Sequence, residues 1–217
     1  MSGSAPACCT DRICGWGLPD KNTEACGSGF GEVWENMEGK KKIRGIAVQD
    51  IALTGMMTAV IEVSKAALGF LPNIELTSFW IILFTLFFGR RILFVVPTFI
   101  LIEGAVYGFG LWWVMYLYAW PLLALAAWLF RRRESVWFWS ILSSAFGLMF
   151  GFLCAIPYVV IGATEDGLTG GLTAGFTWWV AGIPWDIAHG VGNFVLMLVL
   201  YKPVLGAMRS AFRTRAV

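Results

Sequence analysis

Six apolar runs separated by short polar segments fill the chain from residue 51 to residue 200. They cover residues 51–71, 76–88, 92–109, 111–130, 136–162 and 176–200. A helix needs about 20 residues to cross a hydrocarbon core of about 30 Å, and only the second run falls well short of that length. Because a bilayer offers no water to backbone polar groups, such runs predict transmembrane helices rather than strands or loops.

The overall composition excludes several classes of protein. Of the 217 residues, 58% are apolar and 14% are charged, whereas soluble domains carry about 25% charged residues. A water-soluble globule, a disordered chain and a nucleic-acid-binding protein with a broad basic face are therefore not expected. The sequence favours one compact bundle in a lipid bilayer.

The placement of the basic residues decides whether the short second run crosses the membrane. With six crossings, one side receives every basic cluster: Lys40, Lys41, Lys42, Arg44, Arg90, Arg91, Arg131, Arg132, Arg133, Lys202, Arg209, Arg213 and Arg215. The other side receives Glu75, Glu165 and Asp166. Basic residues accumulate on the cytoplasmic side. We therefore predict an all-α integral membrane bundle of six transmembrane helices, with both termini cytoplasmic, in a bacterial plasma membrane.

The chain divides into three parts. Residues 1–45 are predicted to form a polar, mobile cytoplasmic tail, residues 46–205 the membrane domain, and residues 206–217 a basic cytoplasmic tail. Four cysteines lie in the first tail, Cys8, Cys9, Cys14 and Cys26, without the paired CxxC spacing of zinc sites. A metal or redox role for them is the alternative to no role, and Met37 is an alternative start.

The membrane region lacks the motifs of common enzymes. It contains no phosphate-binding G-x-x-x-x-G-K-[ST] loop, no H-E-x-x-H and no G-x-S-x-G, and His189 is its one histidine. We expect no catalysis, no metal site and no cofactor bound by this chain.

A few ionisable residues interrupt the apolar runs and are candidate functional residues: Glu62, Lys65, Glu103, Asp186 and His189. Each central acid or lysine costs about 2.5–3.5 kcal/mol if it faces lipid, so they are expected to face the interior. In the sixth run, Asp186, His189 and Asn193 lie on one helix face. The alternative is structural pairing of Glu62 with Lys65 and of Asp186 with His189.

Aromatic residues concentrate in the same half of the membrane region, and we assign ligand contacts to Trp113, Tyr116, Trp120, Tyr158 and Trp185. Together with the buried acids they predict a pocket open to the outside, suited to a small, flat, polar ligand. An interfacial aromatic belt is the alternative for about half of these rings.

Small residues occupy one face of the first run, Ala52, Gly55 and Ala59. Such a face allows another helix to approach closely. It predicts either docking onto another membrane subunit or internal packing. Gly147 and Gly151 in the fifth run favour internal packing.

With these residues in view, the chain resembles the substrate-binding S components of energy-coupling-factor (ECF) vitamin transporters over roughly residues 46–205. The resemblance rests on six spans, on the Ala52/Gly55/Ala59 face, on the loop Leu-Pro-Asn-Ile-Glu-Leu at 71–76, and on the run Gly-Ile-Pro-Trp-Asp-Ile-Ala-His-Gly-Val-Gly-Asn at 182–193. Gly55 departs from the alanine common at that position of the family's docking motif.

The resemblance implies a function. The chain would bind a vitamin or vitamin precursor from outside, with Asn73 and Glu75 in a gating loop, and would dock on a transmembrane coupling subunit driven by two cytoplasmic ATPases that use ATP. Thiamine-like, pyridoxine-like, pyrimidine and corrinoid-related ligands all remain open. Two alternatives are a stand-alone proton-coupled carrier of a small polar aromatic solute and an intramembrane acid–base enzyme. No nucleic-acid partner is expected.

Overall fold

Helices are the only regular elements in the computed structural model, which describes residues 48–71 and 73–213. They are α1 (Val48–Ala67), α2 (Thr77–Phe88), α3 (Ile92–Tyr107) and α4 (Leu111–Leu129), followed by a helical stretch over Val136–Arg213. That stretch has non-helical backbone angles at Asp166 and Gly167, which divide it into α5 (136–165) and α6 (168–213). The all-α prediction is confirmed for the described residues. The N-terminal tail with its four cysteines, Met37 and residues 214–217 lie outside them.

Three helical stretches of the described chain are long and apolar enough to cross a membrane: Thr77–Tyr107, Leu111–Leu129 and Val136–Phe212. The first of these contains α2 and α3, which are joined by a 3-10 turn at Gly89–Arg91. The helix α1 carries Asp50, Glu62 and Lys65 within its 20 residues, and these charges lower its apolar character. The structure is thus compatible with a membrane protein.

The central helix is α2. Most of its side chains are buried, and Ile81, Ile82 and Leu83 have no exposed surface. A helix that is apolar on every face belongs in the middle of a bundle. It packs against α1, α4 and α6, where Trp120 and Met197 are also fully buried. At 12 residues, α2 is about 18 Å long.

One end of the bundle, here called the basic end, gathers the start of α1, the turn after α2 and the end of α6. The Asp50 carboxylate accepts hydrogen bonds from Arg91 at 3.0 and 3.1 Å, and the rings of Phe87 and Phe88 lie 5.4 and 5.1 Å from that of Phe212. Gly89 ends α2 with a φ of +59°, which a residue without a Cβ adopts without strain.

The helices α5 and α6 form a close antiparallel hairpin because small residues line their interface. A Cβ on Gly147 would contact the backbone of Gly190, and a Cβ on Gly171 would contact the carbonyl oxygen of Val159. The hairpin extends both helices beyond the predicted runs, to residues 165 and 168. The segment 163–175, expected to be a polar connection, is helical apart from its two break residues.

A proline inside α5 creates a tertiary hydrogen bond. Pro157 has no N–H, so the carbonyl of Leu153, four residues earlier, loses its helical partner. The hydroxyl of Tyr118 on α4 donates to that oxygen at 2.7 Å. This bond joins α4 to α5.

Candidate functional site

The end of the bundle opposite the basic end contains a buried ion pair between α1 and α3. Lys65 Nζ donates to the Glu103 carboxylate and lies 3.4 Å from the Tyr116 hydroxyl. It also sits 5.3–5.9 Å from the ring centroids of Phe99, Tyr107 and Tyr116. Lys65 therefore pairs with Glu103, not with Glu62 as in the structural alternative considered above.

Glu62 lies near this pair but forms no ion pair among the described residues. Its carboxyl group is close enough to that of Glu103 for the two charges to interact. One carboxyl oxygen of each residue, Glu62 Oε1 and Glu103 Oε1, is buried without a hydrogen-bond partner. Two acids thus share one lysine.

A cavity of about 280 Å³ adjoins the ion pair. It is lined by Lys65, Leu68, Gly69, Leu71, Asn73, Ile74, Glu75, Tyr116, Phe150 and His189. Five of the predicted site residues meet here, brought from α1, the loop after it, α4 and α6. The arrangement offers one cation, one acid and several hydrogen-bonding groups to a small polar solute.

The loop between α1 and α2 forms part of this cavity. Asn73 has a φ of +57°, a conformation that asparagine tolerates better than most residues, and Ile74 lies against Gly192 of α6, where there is little room for a Cβ. Burial raises the pKa of Glu75 above its ordinary value, and the charge of Lys65 opposes that rise. The predicted gating loop thus lies against the cavity residues.

A larger cavity, of about 550 Å³, lies beside the first and shares Asn73 and Phe150 with it. It is lined by Asn73, Met115, Phe150, Gly151, Cys154, Trp178, Ala181, Gly182, Trp185 and Asp186. The two cavities together are called the chamber below. The larger one falls in the 300–1,000 Å³ range of small-molecule sites, which are apolar and aromatic with a few polar groups.

Asp186 is the charged group of the larger cavity. It is only 6% exposed; its Oδ1 accepts a hydrogen bond from the Gly151 amide at 2.9 Å, and its Oδ2 is buried without a partner. Glycine is required at position 151 because a Cβ there would overlap the Asp186 carboxylate.

His189, one turn after Asp186, lies on the side of the smaller cavity. Its ring is buried and meets the Phe150 ring edge-to-face, with centroids 5.1 Å apart. His189 Nε2 has no hydrogen-bond partner among the described residues. The alternative of a structural Asp186–His189 pair finds no support among the contacts of the described residues.

Six predicted site residues line neither cavity: Glu62 and Glu103, described above, and Trp113, Trp120, Tyr158 and Asn193. Trp113 donates from Nε1 to the Ile100 carbonyl at 2.8 Å, and Asn193 donates to Ser78 and to the Ser143 carbonyl at 3.2 Å. Trp120 is fully buried. Tyr158 stacks with centroids 4.0 Å apart on Trp178, which lines the larger cavity.

Sequence reasoning did not assign Met115, Phe150, Cys154 or Trp178 to the site. Phe150 and Cys154 continue a face that begins at Phe146, at intervals of four residues along α5. That spacing marks a buried helix face, but it does not distinguish a cavity wall from a filled core.

The small-residue face of α1 is exposed. Ala52, Gly55 and Ala59 all face away from the bundle, and a Cβ on Gly55 would meet nothing within 4 Å. This face is therefore not packed inside the bundle, and the internal-packing interpretation given above does not apply to it.

Within the described residues, no group of three or more histidine, cysteine or acidic side chains is arranged to hold a metal ion. No protein-family model, curated protein or solved structure matches this chain. The ECF resemblance consequently rests on the sequence features given above.

Proposed function

We propose that this chain is the substrate-capture (S) subunit of an ECF-type importer, and that it binds a vitamin-like solute in the chamber. One observation carries the proposal: a buried carboxylate oxygen of Asp186 lacks a partner beside an aromatic-lined cavity of about 550 Å³. An unsatisfied buried polar group costs about 1–3 kcal/mol. A bound solute that donates a hydrogen bond would recover that cost.

In this proposal the chain crosses a bacterial plasma membrane six times. The contacts of Asp50 with Arg91 and of Phe212 with α2 support a common basic end, and basic residues favour the cytoplasm. The chamber would then open toward the outside. The short α2 would cross where the bilayer is locally thinned.

The energy for transport would come from partners. The sequence has no phosphate-binding loop, so ATP would be used by two cytoplasmic ATPases coupled through a transmembrane subunit. The exposed face of Ala52, Gly55 and Ala59 is the proposed docking surface for that subunit, because small residues let helix backbones approach closely.

Purification of the tagged full chain from its native membranes, at endogenous level, tests this function. Native mass spectrometry should detect a co-purified small polar solute, and proteomics should detect a coupling subunit and ATPases that are absent from a matched purification of an unrelated membrane protein. Recovery of the chain alone, without solute or ATPases, would contradict the proposal. If the lone chain accumulated solute in proteoliposomes under a proton gradient, it would instead be a secondary carrier.

A further inference from the structure

The larger cavity is lined by one acidic side chain and by no basic side chain. Asp186 is the one charged side chain among its ten lining residues. It takes part in no ion pair among the described residues, and its Oδ1 is held by the uncharged Gly151 amide. A buried carboxylate is strongly disfavoured unless it is paired or fully hydrogen-bonded.

Lys65, the lysine that lines the chamber, already has a partner within the protein. Lys65 pairs with Glu103 and is surrounded by three rings, and it lines the smaller cavity, not the larger one. Glu62 and Glu75 add further acidic groups around it. The chamber as a whole therefore has more acids than bases.

Aromatic rings surround Asp186 in the larger cavity. Phe150, Trp178 and Trp185 all line it, and the two tryptophans are 44% and 52% exposed. Tyr158 stacks on one face of the Trp178 indole. The opposite face of the indole is not covered by Tyr158. Indole faces attract cations, most strongly where water is excluded.

We propose that the ligand of the larger cavity is a flat organic cation with at least one N–H donor, such as a protonated amine or amidine on an aromatic ring. Its positive nitrogen binds the Asp186 carboxylate, and its ring packs among Phe150, Trp178 and Trp185. This inference rests on the proposed function because it requires the cavity to be a ligand site. It adds the charge of the ligand, which the family resemblance left open.

Two probes of nearly equal shape test the charge directly. Benzamidine carries a planar cation with N–H donors, whereas benzamide is its neutral counterpart. Titration of the full chain in detergent, followed by tryptophan fluorescence, should give benzamidine an affinity at least about tenfold higher than that of benzamide. Benzamidine should also slow alkylation of Cys154, which lines the same cavity, as measured by peptide mass spectrometry.

Two acid-to-amide variants locate the charge. Asp186→Asn should bring the two affinities to within about twofold of each other. Asp50→Asn, which removes an acid at the basic end, should leave the preference intact. The comparison of the two probes on the unmodified chain stands even if Asp186→Asn fails to fold.

Three results would overturn the inference: benzamide binding as tightly as benzamidine, a preference that persists in Asp186→Asn, or no protection of Cys154. Failure of both probes to bind would also overturn it. None of these results bears on the proposed function, which is judged by the co-purified solute and partners. A co-purified solute that is neutral or anionic would support the function while rejecting the cation.

Discussion

The backbone of Gly151 on α5 and the carboxylate of Asp186 on α6 occupy adjoining space, so that the Gly151 amide donates directly to Asp186 Oδ1 at 2.9 Å. The contact exists because position 151 lacks a Cβ, which would overlap that carboxylate. The small residue that lets α5 and α6 approach thus also fixes the acid of the larger cavity.

Gly151→Ala should displace Asp186 and weaken benzamidine binding by at least about tenfold. The added methyl group cannot be accommodated without moving the carboxylate or the helix. Fluorescence titration measures the effect. Gly206→Ala is the matched control because a Cβ at Gly206 meets nothing within 4 Å. Equal affinity in the Gly151 variant and the unmodified chain would mean that Asp186 does not hold the ligand.

Lys65→Met should destabilise the protein, since it leaves the buried Glu103 carboxylate without its cation. We expect a loss of about 3 kcal/mol, the lower end of the range for a broken buried pair, because Lys65 retains some exposure. Chemical unfolding in detergent measures it. The double variant Lys65→Met/Glu103→Gln should recover most of the loss, and a double variant no more stable than the single one would contradict this explanation.

Tyr118→Phe should cost about 1–2 kcal/mol because it leaves the Leu153 carbonyl without a donor. The cost depends on Pro157, which removes the helical partner of that carbonyl. In a Pro157→Ala background the helix can supply its own donor, so the same substitution should cost markedly less. Unfolding free energies of the four proteins complete the cycle. If Tyr118→Phe lowers the unfolding free energy equally with and without Pro157, the contribution of the Tyr118 hydrogen bond does not depend on the proline.

Glu75→Gln should flatten the pH dependence of thermal stability. Burial raises the pKa of Glu75 in the folded protein, so the folded chain keeps a proton that the unfolded chain releases. Stability therefore falls as pH rises from about 4.5 toward the raised value, by at most about 1.4 kcal/mol per pH unit. The unmodified chain should show this fall, and it should be smaller in Glu75→Gln. Parallel profiles for the two proteins would rule out Glu75 as the source.

Ala59→Trp should abolish recovery of partner subunits and uptake while leaving solute binding unchanged. Ala59 is exposed on α1, so the larger side chain does not disturb the bundle, but it prevents close approach of another helix. Co-purification, uptake and binding assays are compared on the same preparation. Loss of binding together with uptake would place Ala59 in the fold rather than at a docking surface.

The helices themselves were predictable from the sequence. The predicted run 76–88 and the observed α2 (Thr77–Phe88) differ by one residue at the start, and α3 and α4 agree with their runs to within two. The segment 163–175 differed because its glycines and alanines look like a connection, whereas across a hairpin they let two backbones pack closely. Local polarity predicts a turn over the whole segment, but the structure confines the break to Asp166 and Gly167 because packing across the hairpin favours helix on both sides of it.

The apolar runs were enough to predict the all-helical class, and the cost of burying polar groups in an apolar environment was enough to mark the ionisable residues as candidates for the interior. The sequence also indicated that Asp186 and His189 share a helix face, since that follows from helical periodicity. Which partners these groups meet was decided only by the tertiary structure. Lys65 binds Glu103 rather than the nearby Glu62, and Asp186 binds Gly151 rather than His189. Those pairings depend on the distances between residues on different helices, and such distances cannot be read from the spacing of residues along one helix.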